Sequence, residues 1–368
     1  MNIIKPNYND SIMSVSNSFL KYYDVETNYS SQKDLDKILQ KRKPKHIIYV
    51  LLDGLGLNVV KKHLSKDDAL RKYCLKGISS VFPPTTVAAT NAVLSATPPI
   101  VNGHIGWVQY FDKEDVNLAV FLNRDFYDEN KTYDYNFQAK YLSFESIVTK
   151  IGKNENIKST ALFPSFMPGG SESFKEEIEK VLMITNNSDQ SFSYLYWTQP
   201  DLSEHVHGIY SEEVKSVVND LNLDFESLIE NVPQDTLVVC IADHGLTDVI
   251  EIPLYEYERL NSMLVRKPSI EPRAINFFVK DNSIEEFKNE FNKHFEDKYL
   301  LLTKKEFLDQ EFLGIGKQHT KLNSFLGDYI AIAIDKYMFS LSQGKRYKAH
   351  HAGLLEDEMI VPLIIYTK

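Results

Sequence analysis

Short runs of consecutive apolar residues alternate along the chain with longer stretches in which apolar side chains recur at helical spacing. Apolar runs of this length that end at glycine-containing turns are typical of strands buried in a parallel sheet. The predicted strands span residues 46–52, 193–197, 237–242 and 359–366, and the predicted helices include 90–96, 211–229 and 284–294. The pattern therefore predicts an α/β fold with a mainly parallel sheet flanked by helices.

Residues 253–347 have their own mixture of strand-like and helical patterns, ahead of the last predicted strand. The clearest apolar runs in this stretch lie at 274–280 and 329–334. We therefore expect one large domain over residues 1–368, with a small cap or subdomain inserted at 253–347.

Polar residues follow three of the predicted strands. Asp53-Gly54 ends the first strand, Asp201 comes shortly after 193–197, and Asp243-His244-Gly245 ends the strand at 237–242. Taken singly, an Asp-Gly pair after a strand is more often a simple turn. Because α/β proteins bind ligands at the carboxyl ends of their parallel strands, the three together predict a site at that edge of the sheet.

The residue types at these positions suit divalent cations. Asp201 and His205 are four residues apart and face the same way on a helical turn. Asp243-His244 places two kinds of ligand side by side, and His350-His351 precedes the last strand. Oxygen and nitrogen donors without thiolate favour zinc, with manganese as the alternative. A single Asp or His is usually a surface or core group, so the metal prediction depends on the clusters occurring together.

A pair of hydroxyls, Thr85-Thr86, lies between a Pro-Pro stop and the predicted helix at 90–96. The simpler interpretation is a helix N-cap, for which threonine is common. The functional interpretation is a nucleophile at a helix N-terminus, where backbone N–H groups favour a phosphate.

Composition narrows the class of partner. The 368 residues carry a net charge of −10, which argues against a nucleic-acid duplex, because binding to one requires a basic surface. The polar stretch from Met1 to Asp10, and the lack of any apolar run of about 18 residues, lead us to expect a cytoplasmic protein without membrane contact. Cys74 and Cys240 are expected to be buried free thiols.

These motifs, taken in order along the chain, resemble the nucleotide pyrophosphatase/phosphodiesterase branch of the alkaline phosphatase superfamily, bacterial members in particular. The segment from Pro200-Asp201 through His205 to Gly208 is similar to the family's Pro-Asp-x-x-x-His-x-x-Gly. The resemblance implies a catalytic domain with an alkaline phosphatase-like sheet sandwiched by helices. It also implies a two-metal phosphoric ester hydrolase that acts on phosphodiesters or nucleotide pyrophosphates through a phospho-threonine.

The resemblance further implies roles for individual residues. One cation is assigned to Asp201, His205 and His351, and the other to Asp53, Asp243 and His244. Thr86 matches the nucleophile, with Thr85 in reserve, and His350 stays open as an alternative to His351. Arg273 or His207 is considered as a substrate contact, although an ordinary structural role is favoured for each.

Several other functions share such a metal core. A phosphomonoesterase, a phosphonate hydrolase or a phosphosugar mutase stays open, because within one fold the loops set the substrate. A non-catalytic, metal-stabilised binding protein is the alternative outside enzymes. A sulfatase is disfavoured, since Thr86 to Thr90 offers no Cys/Ser-x-Pro-x-Arg. The expected partner is a small phosphate ester or nucleotide.

Overall fold

The computed structural model describes residues 3–128, 130–341, 344 and 346–368. It is a mixed α/β structure in which helices cover a central sheet, which confirms the predicted fold class. Within the described ranges, no helix combines the length and the apolar character needed to cross a membrane.

The strands are short and are distributed over the whole chain. They are β1 His46–Leu52, β2 Cys74–Ser79, β3 Val108–Phe111, β4 Val116–Ala119, β5 Arg124–Asp125, β6 Lys158–Leu162, β7 Ser191–Trp197, β8 Thr236–Ile241, β9 Thr247–Asp248, β10 Ile250–Pro253, β11 Ser269–Glu271, β12 Ala274–Phe277, β13 Tyr299–Thr303, β14 Tyr329–Ala333, β15 Tyr337–Ser340, β16 Ala349–His350 and β17 Ile360–Thr367.

The α-helices range from single turns to a long helix before β8. They are α1 Ile12–Tyr22, α2 Lys33–Arg42, α3 Leu57–His63, α4 Ala69–Lys72, α5 Thr86–Ser95, α6 Pro99–Asn102, α7 Phe137–Tyr141, α8 Ile147–Ile151, α9 Phe174–Asn186, α10 Asp201–His207, α11 Glu212–Asn231, α12 Glu258–Ser262, α13 Ile284–Phe295, α14 Lys304–Asp309, α15 Leu322–Phe325 and α16 Glu356–Met359.

The central sheet has the strand order β2-β17-β8-β1-β7-β6. Strands β6, β7, β1 and β8 run parallel to one another, whereas β17 pairs antiparallel with both β8 and β2. Every residue of β1 is buried, as the unbroken apolar run predicts for a central strand. Helices α1, α5, α9 and α11 pack against this sheet in the largest apolar core. Cys240 is buried and Cys74 only partly so, and both are free thiols.

A second sheet is antiparallel and has the order β13-β14-β12-β11-β3-β4-β5. Strands β11 to β14 come from the predicted insertion at 253–347, and strands β3 to β5 come from a segment much earlier in the chain. Helix α13 covers part of this sheet with Phe287, Phe291 and Phe295, which recur every fourth residue and are buried. An independent cap at 253–347 stays a prediction.

Candidate metal centre and active site

Three neighbouring strands of the central sheet deliver the three aspartates. Asp53 follows β1, Asp201 begins α10 after β7, and Asp243 follows β8. The backbone ties these ends together, because the N–H of Asp201 donates to the carbonyl of Asp53 at 3.0 Å. The N–H of Gly54 donates to Asp243 Oδ1 at 3.1 Å. Gly54 has a φ of +77°, and a Cβ there would lie 2.8 Å from the Cα of Asp201, so the approach requires glycine.

The two candidate nucleophiles lie in different surroundings. Thr86 is the first residue of α5, and its Oγ1 lies 3.2 Å from His244 Nε2. The preceding Thr85 is fully buried, and its Oγ1 donates to Glu271 Oε1 at 2.6 Å. The structure thus brings the Thr86 hydroxyl to the centre and binds the Thr85 hydroxyl to a carboxylate.

A first group of potential ligands consists of Asp201, His205 and His351, whose donor atoms lie within 4.8 Å of one another. His205 Nε2 is 3.3 Å from Asp201 Oδ1, and His351 Nε2 is 3.9 Å from the same oxygen. These are the three residues that the family resemblance assigns to one cation.

A second group consists of Asp53, Asp201 and His244, again within 4.8 Å. His244 Nε2 lies 3.5 Å from Asp53 Oδ1 and 3.4 Å from Asp243 Oδ2. The structure therefore brings together all three residues that the family resemblance assigns to the other cation, and it places Asp201 in both groups.

A third group, Glu271, His350 and His351, also meets the 4.8 Å condition. Sequence reasoning considered His350 only as a substitute for His351, and it gave Glu271 no role. Glu271 ends β11, a three-residue strand of the second sheet. Its position could not be found from a pattern of strand ends, because that pattern covered only the parallel sheet.

Four buried polar atoms at the centre have no hydrogen-bond partner among the described residues. They are Asp53 Oδ1, Asp201 Oδ1, Asp243 Oδ2 and His351 Nδ1. A buried carboxylate oxygen without a partner costs several kcal/mol unless a cation or water satisfies it. The donors are oxygen and nitrogen, which suit zinc or manganese. The residues therefore fit a pair of divalent cations.

Electrostatics at the centre also favour a bound cation. Burial, together with repulsion from Asp243 and Asp201, raises the pKa of Asp53 well above its usual value. Burial likewise raises the pKa of Asp243 and raises the pKa of Glu271 to about 7. Burial lowers the pKa of His351 well below its usual value, with a further contribution from His244. Metal binding requires neutral imidazoles and ionised carboxylates, and a cation bound among these carboxyl groups would offset the mutual repulsion that raises their pKa values.

The potential ligands are held by hydrogen bonds from outside the centre. His205 Nδ1 lies 2.8 Å from the carbonyl of Ala349, and His244 Nδ1 lies 3.3 Å from the carbonyl of Gly245. The hydroxyl of Tyr196 donates to Asp53 Oδ2. Contacts of this kind fix the orientation of metal ligands. Tyr196 was not singled out in the sequence, although it lies in the predicted strand at 193–197.

The two candidate substrate contacts, Arg273 and His207, differ in their exposure to solvent. Arg273 is completely buried and forms a two-pronged ion pair with Glu358, with N···O distances of 2.7 Å, so it has the structural role that was favoured. His207 ends α10 and is exposed.

Comparison with known proteins identifies a family for the chain. Residues 47–353 match the family model described as type I phosphodiesterase / nucleotide pyrophosphatase. No curated protein matches the chain in a sequence search.

Solved structures with a similar fold include murine ectonucleotide pyrophosphatase/phosphodiesterase 5, with a TM-score of 0.65, 15% identity and 88% coverage of each chain. An inactive threonine-to-alanine form of the murine protein in complex with AMP has a TM-score of 0.63 at 15% identity, over 86% of this chain and 87% of that chain. Phosphonoacetate hydrolase from Sinorhizobium meliloti, in complex with phosphonoformate, has a TM-score of 0.62 at 14% identity, over 88% of this chain and 90% of that chain. At these identities the likeness shows the fold.

Proposed function

The chain belongs to the type I phosphodiesterase / nucleotide pyrophosphatase family of the alkaline phosphatase superfamily, and we propose that it hydrolyses phosphodiesters or nucleotide pyrophosphates through Thr86. The observation that carries this proposal is the position of the Thr86 hydroxyl, 3.2 Å from His244 Nε2 at the edge of the two ligand groups. A hydroxyl at the first residue of α5 also faces the end of a helix that favours a phosphate.

Two divalent cations, zinc or manganese, are proposed to bind at this centre. Asp201, His205 and His351 would hold one of them, and Asp53, Asp243 and His244 the other. Cations bound there lower the pKa of a hydroxyl group and offset the negative charge on phosphate oxygens.

The reaction is proposed to proceed in two displacements at phosphorus. Thr86 Oγ1 forms a bond to phosphorus, the bond to the leaving oxygen breaks, and the hydroxyl proton is released to solvent. Water then attacks the phospho-threonine, the bond to Oγ1 breaks, and a proton from that water restores the hydroxyl. The structure supports Thr86 over Thr85 because the Thr85 hydroxyl is bound to Glu271.

The relatives support a small phosphate-containing substrate. The murine protein binds AMP in a form in which the replacement of a threonine by alanine accompanies inactivity. The bacterial hydrolase binds phosphonoformate. Because the two folds match this chain almost equally well, a phosphonate is the second candidate substrate, and the assay must include one.

The test compares bis-p-nitrophenyl phosphate, p-nitrophenyl phosphate, the p-nitrophenyl ester of thymidine monophosphate, and phosphonoacetate. Each is assayed with added zinc or manganese, in wild type and in the Thr86→Ala and Thr85→Val variants. We expect the diesters to be preferred, Thr86→Ala to lose activity by about 10³-fold or more, and Thr85→Val to lose much less.

Other outcomes redirect the proposal. Preference for the monoester would assign a phosphatase or mutase, and phosphate release from phosphonoacetate alone would assign a phosphonate hydrolase. Metal binding without turnover of any of the four compounds would favour a binding protein.

A further inference from the structure

Glu271 and His350 lie outside the pair of sites proposed above, and they form a group with His351, which also belongs to the first of those sites. Glu271 is 3% exposed, and both histidines are buried. Their donor atoms lie as close together as those of the other two groups. Two imidazoles and one carboxylate form a donor set that binds zinc and other divalent metals in many proteins.

The ring of His350 is held through Nδ1, which lies 3.1 Å from the carbonyl oxygen and 2.9 Å from the backbone nitrogen of His351. Nδ1 of His205 and Nδ1 of His244 also lie near carbonyls, those of Ala349 and Gly245. A cation bound at Nε2 of His350 would select the tautomer in which Nδ1–H donates to the carbonyl of His351. The ring centroid of His350 lies 4.8 Å from that of His205, so the ring of His350 lies beside the first ligand group.

Glu271 is also held in place by hydrogen bonds from outside the group. Its Oε1 accepts from Thr85 Oγ1 at 2.6 Å and from the backbone N–H of Trp107 at 2.8 Å. These bonds orient the carboxylate, and Oε2 takes part in neither of them. Hydrogen bonds to one oxygen of a ligating carboxylate are a common feature of metal sites.

Charge gives an independent reason for a third cation. Glu271 adds a fourth carboxylate to Asp53, Asp201 and Asp243, so two divalent cations would leave the centre without net positive charge for an anionic substrate. The nearest guanidinium in sequence, that of Arg273, is already paired with Glu358. A further cation at Glu271 would restore the positive charge that attracts a phosphate.

We propose that Glu271, His350 and His351 bind a third divalent cation beside the catalytic pair. His351 could serve two groups as a bridging imidazolate that releases its remaining N–H proton to solvent, because its Nε2 lies 3.9 Å from Asp201 Oδ1 while its Nδ1 has no hydrogen-bond partner among the described residues. The inference rests on the proposed function, since it extends the same metal centre.

The test counts cations. The full chain is stripped with a chelator, reloaded with zinc or manganese, passed through a desalting column, and its metal content is measured by plasma mass spectrometry. We expect three cations per chain in wild type and two in Glu271→Gln and in His350→Gln. Glu177→Gln and His319→Gln alter a buried glutamate and a half-buried histidine outside the three ligand groups, and they should keep three.

A titration against a chromophoric chelator gives a second measurement, which needs no activity. The third equivalent should bind more than about 100-fold more weakly in Glu271→Gln, because replacing even a residue that only supports a ligand costs about 10- to 100-fold. Circular dichroism identifies any variant that fails to fold, and the other variant then decides.

The outcomes separate the two proposals. Two cations in wild type and in every variant would overturn the third site and leave the proposed function intact. Two cations in wild type, one of them bound more weakly in the variants, would assign Glu271 and His350 to an existing site and also overturn it. No bound cation at all would overturn the proposed function.

Discussion

The buried ion pair between Arg273 and Glu358 should contribute strongly to stability and should hold the turn that carries His350 and His351. Both side chains are completely buried, and they form two parallel bonds of 2.7 Å. Glu358 also accepts the backbone N–H of Gly353 at 2.7 Å, just after the two histidines. The pair therefore links the second sheet to the metal centre.

Replacing Glu358 by Gln removes the negative charge and leaves the Arg273 guanidinium buried without its partner. The two carbonyl contacts of the guanidinium, to Asp335 at 3.0 Å and Tyr337 at 2.6 Å, remain. Breaking a buried pair from one side costs about 3–5 kcal/mol, a large part of a typical domain's stability. We expect Glu358→Gln and Arg273→Met each to lower the free energy of unfolding by about that amount.

The assay is urea unfolding at neutral pH with chelator present throughout, so that cation binding does not alter the measured stability. Arg259→Met is the control, because Arg259 pairs with Glu286 on the surface and should lose less than about 1 kcal/mol. The double variant Arg273→Met/Glu358→Gln should be more stable than the sum of the single effects predicts, by about 2 kcal/mol or more. Additive effects, or single losses below about 1 kcal/mol, would show that the two side chains do not stabilise the folded chain as a pair.

Further predictions concern cation binding and pH. Tyr196→Phe removes the hydroxyl that donates to Asp53, so the affinity for zinc should fall by about 10- to 100-fold. Tyr194→Phe is the control, because it removes a hydroxyl without a partner among the described residues, and it should leave the affinity unchanged. A competition titration with a chromophoric chelator measures the zinc affinity of each variant. Burial raises the pKa of Glu177 to about 8, whereas the unfolded chain releases that proton near pH 4.3. The protonated carboxyl of Glu177 therefore contributes fully to the free energy of unfolding below about pH 4, and the contribution is lost as the pH rises to about 8. Unfolding curves of Glu177→Gln should lack this loss, which is on the order of 5 kcal/mol. A chelator should lower the melting temperature and added zinc should restore it, because a ligand that binds only the folded state stabilises that state. Identical melting curves with and without chelator would count against a metal centre.

The central sheet was the most predictable part of the structure. An unbroken apolar run such as that of β1 can be satisfied only by burial on both faces, so its position and type follow from local sequence. The aspartates at the strand ends converge because the carboxyl ends of parallel strands lie at the same edge of the sheet. The family resemblance is confirmed by the match over residues 47–353.

The second sheet was less predictable, because its neighbours are distant in sequence. Strand β3 pairs with β11 at Val108 and Ile270, and no local pattern indicates such a pairing. Glu271 reaches the centre only through that sheet, so its contact with Thr85 follows from tertiary packing. The direction of β17 was also hidden, since an apolar run does not show which way a strand runs.

The proposed role of Thr86 as the nucleophile can be tested by trapping the covalent intermediate. Enzyme mixed with bis-p-nitrophenyl phosphate is quenched in acid within milliseconds, digested, and analysed by mass spectrometry. We expect a p-nitrophenyl phosphoryl group on Thr86, with a burst of about one p-nitrophenol per active site. The same group on Thr85, or turnover by Thr86→Ala at the wild-type rate, would contradict it.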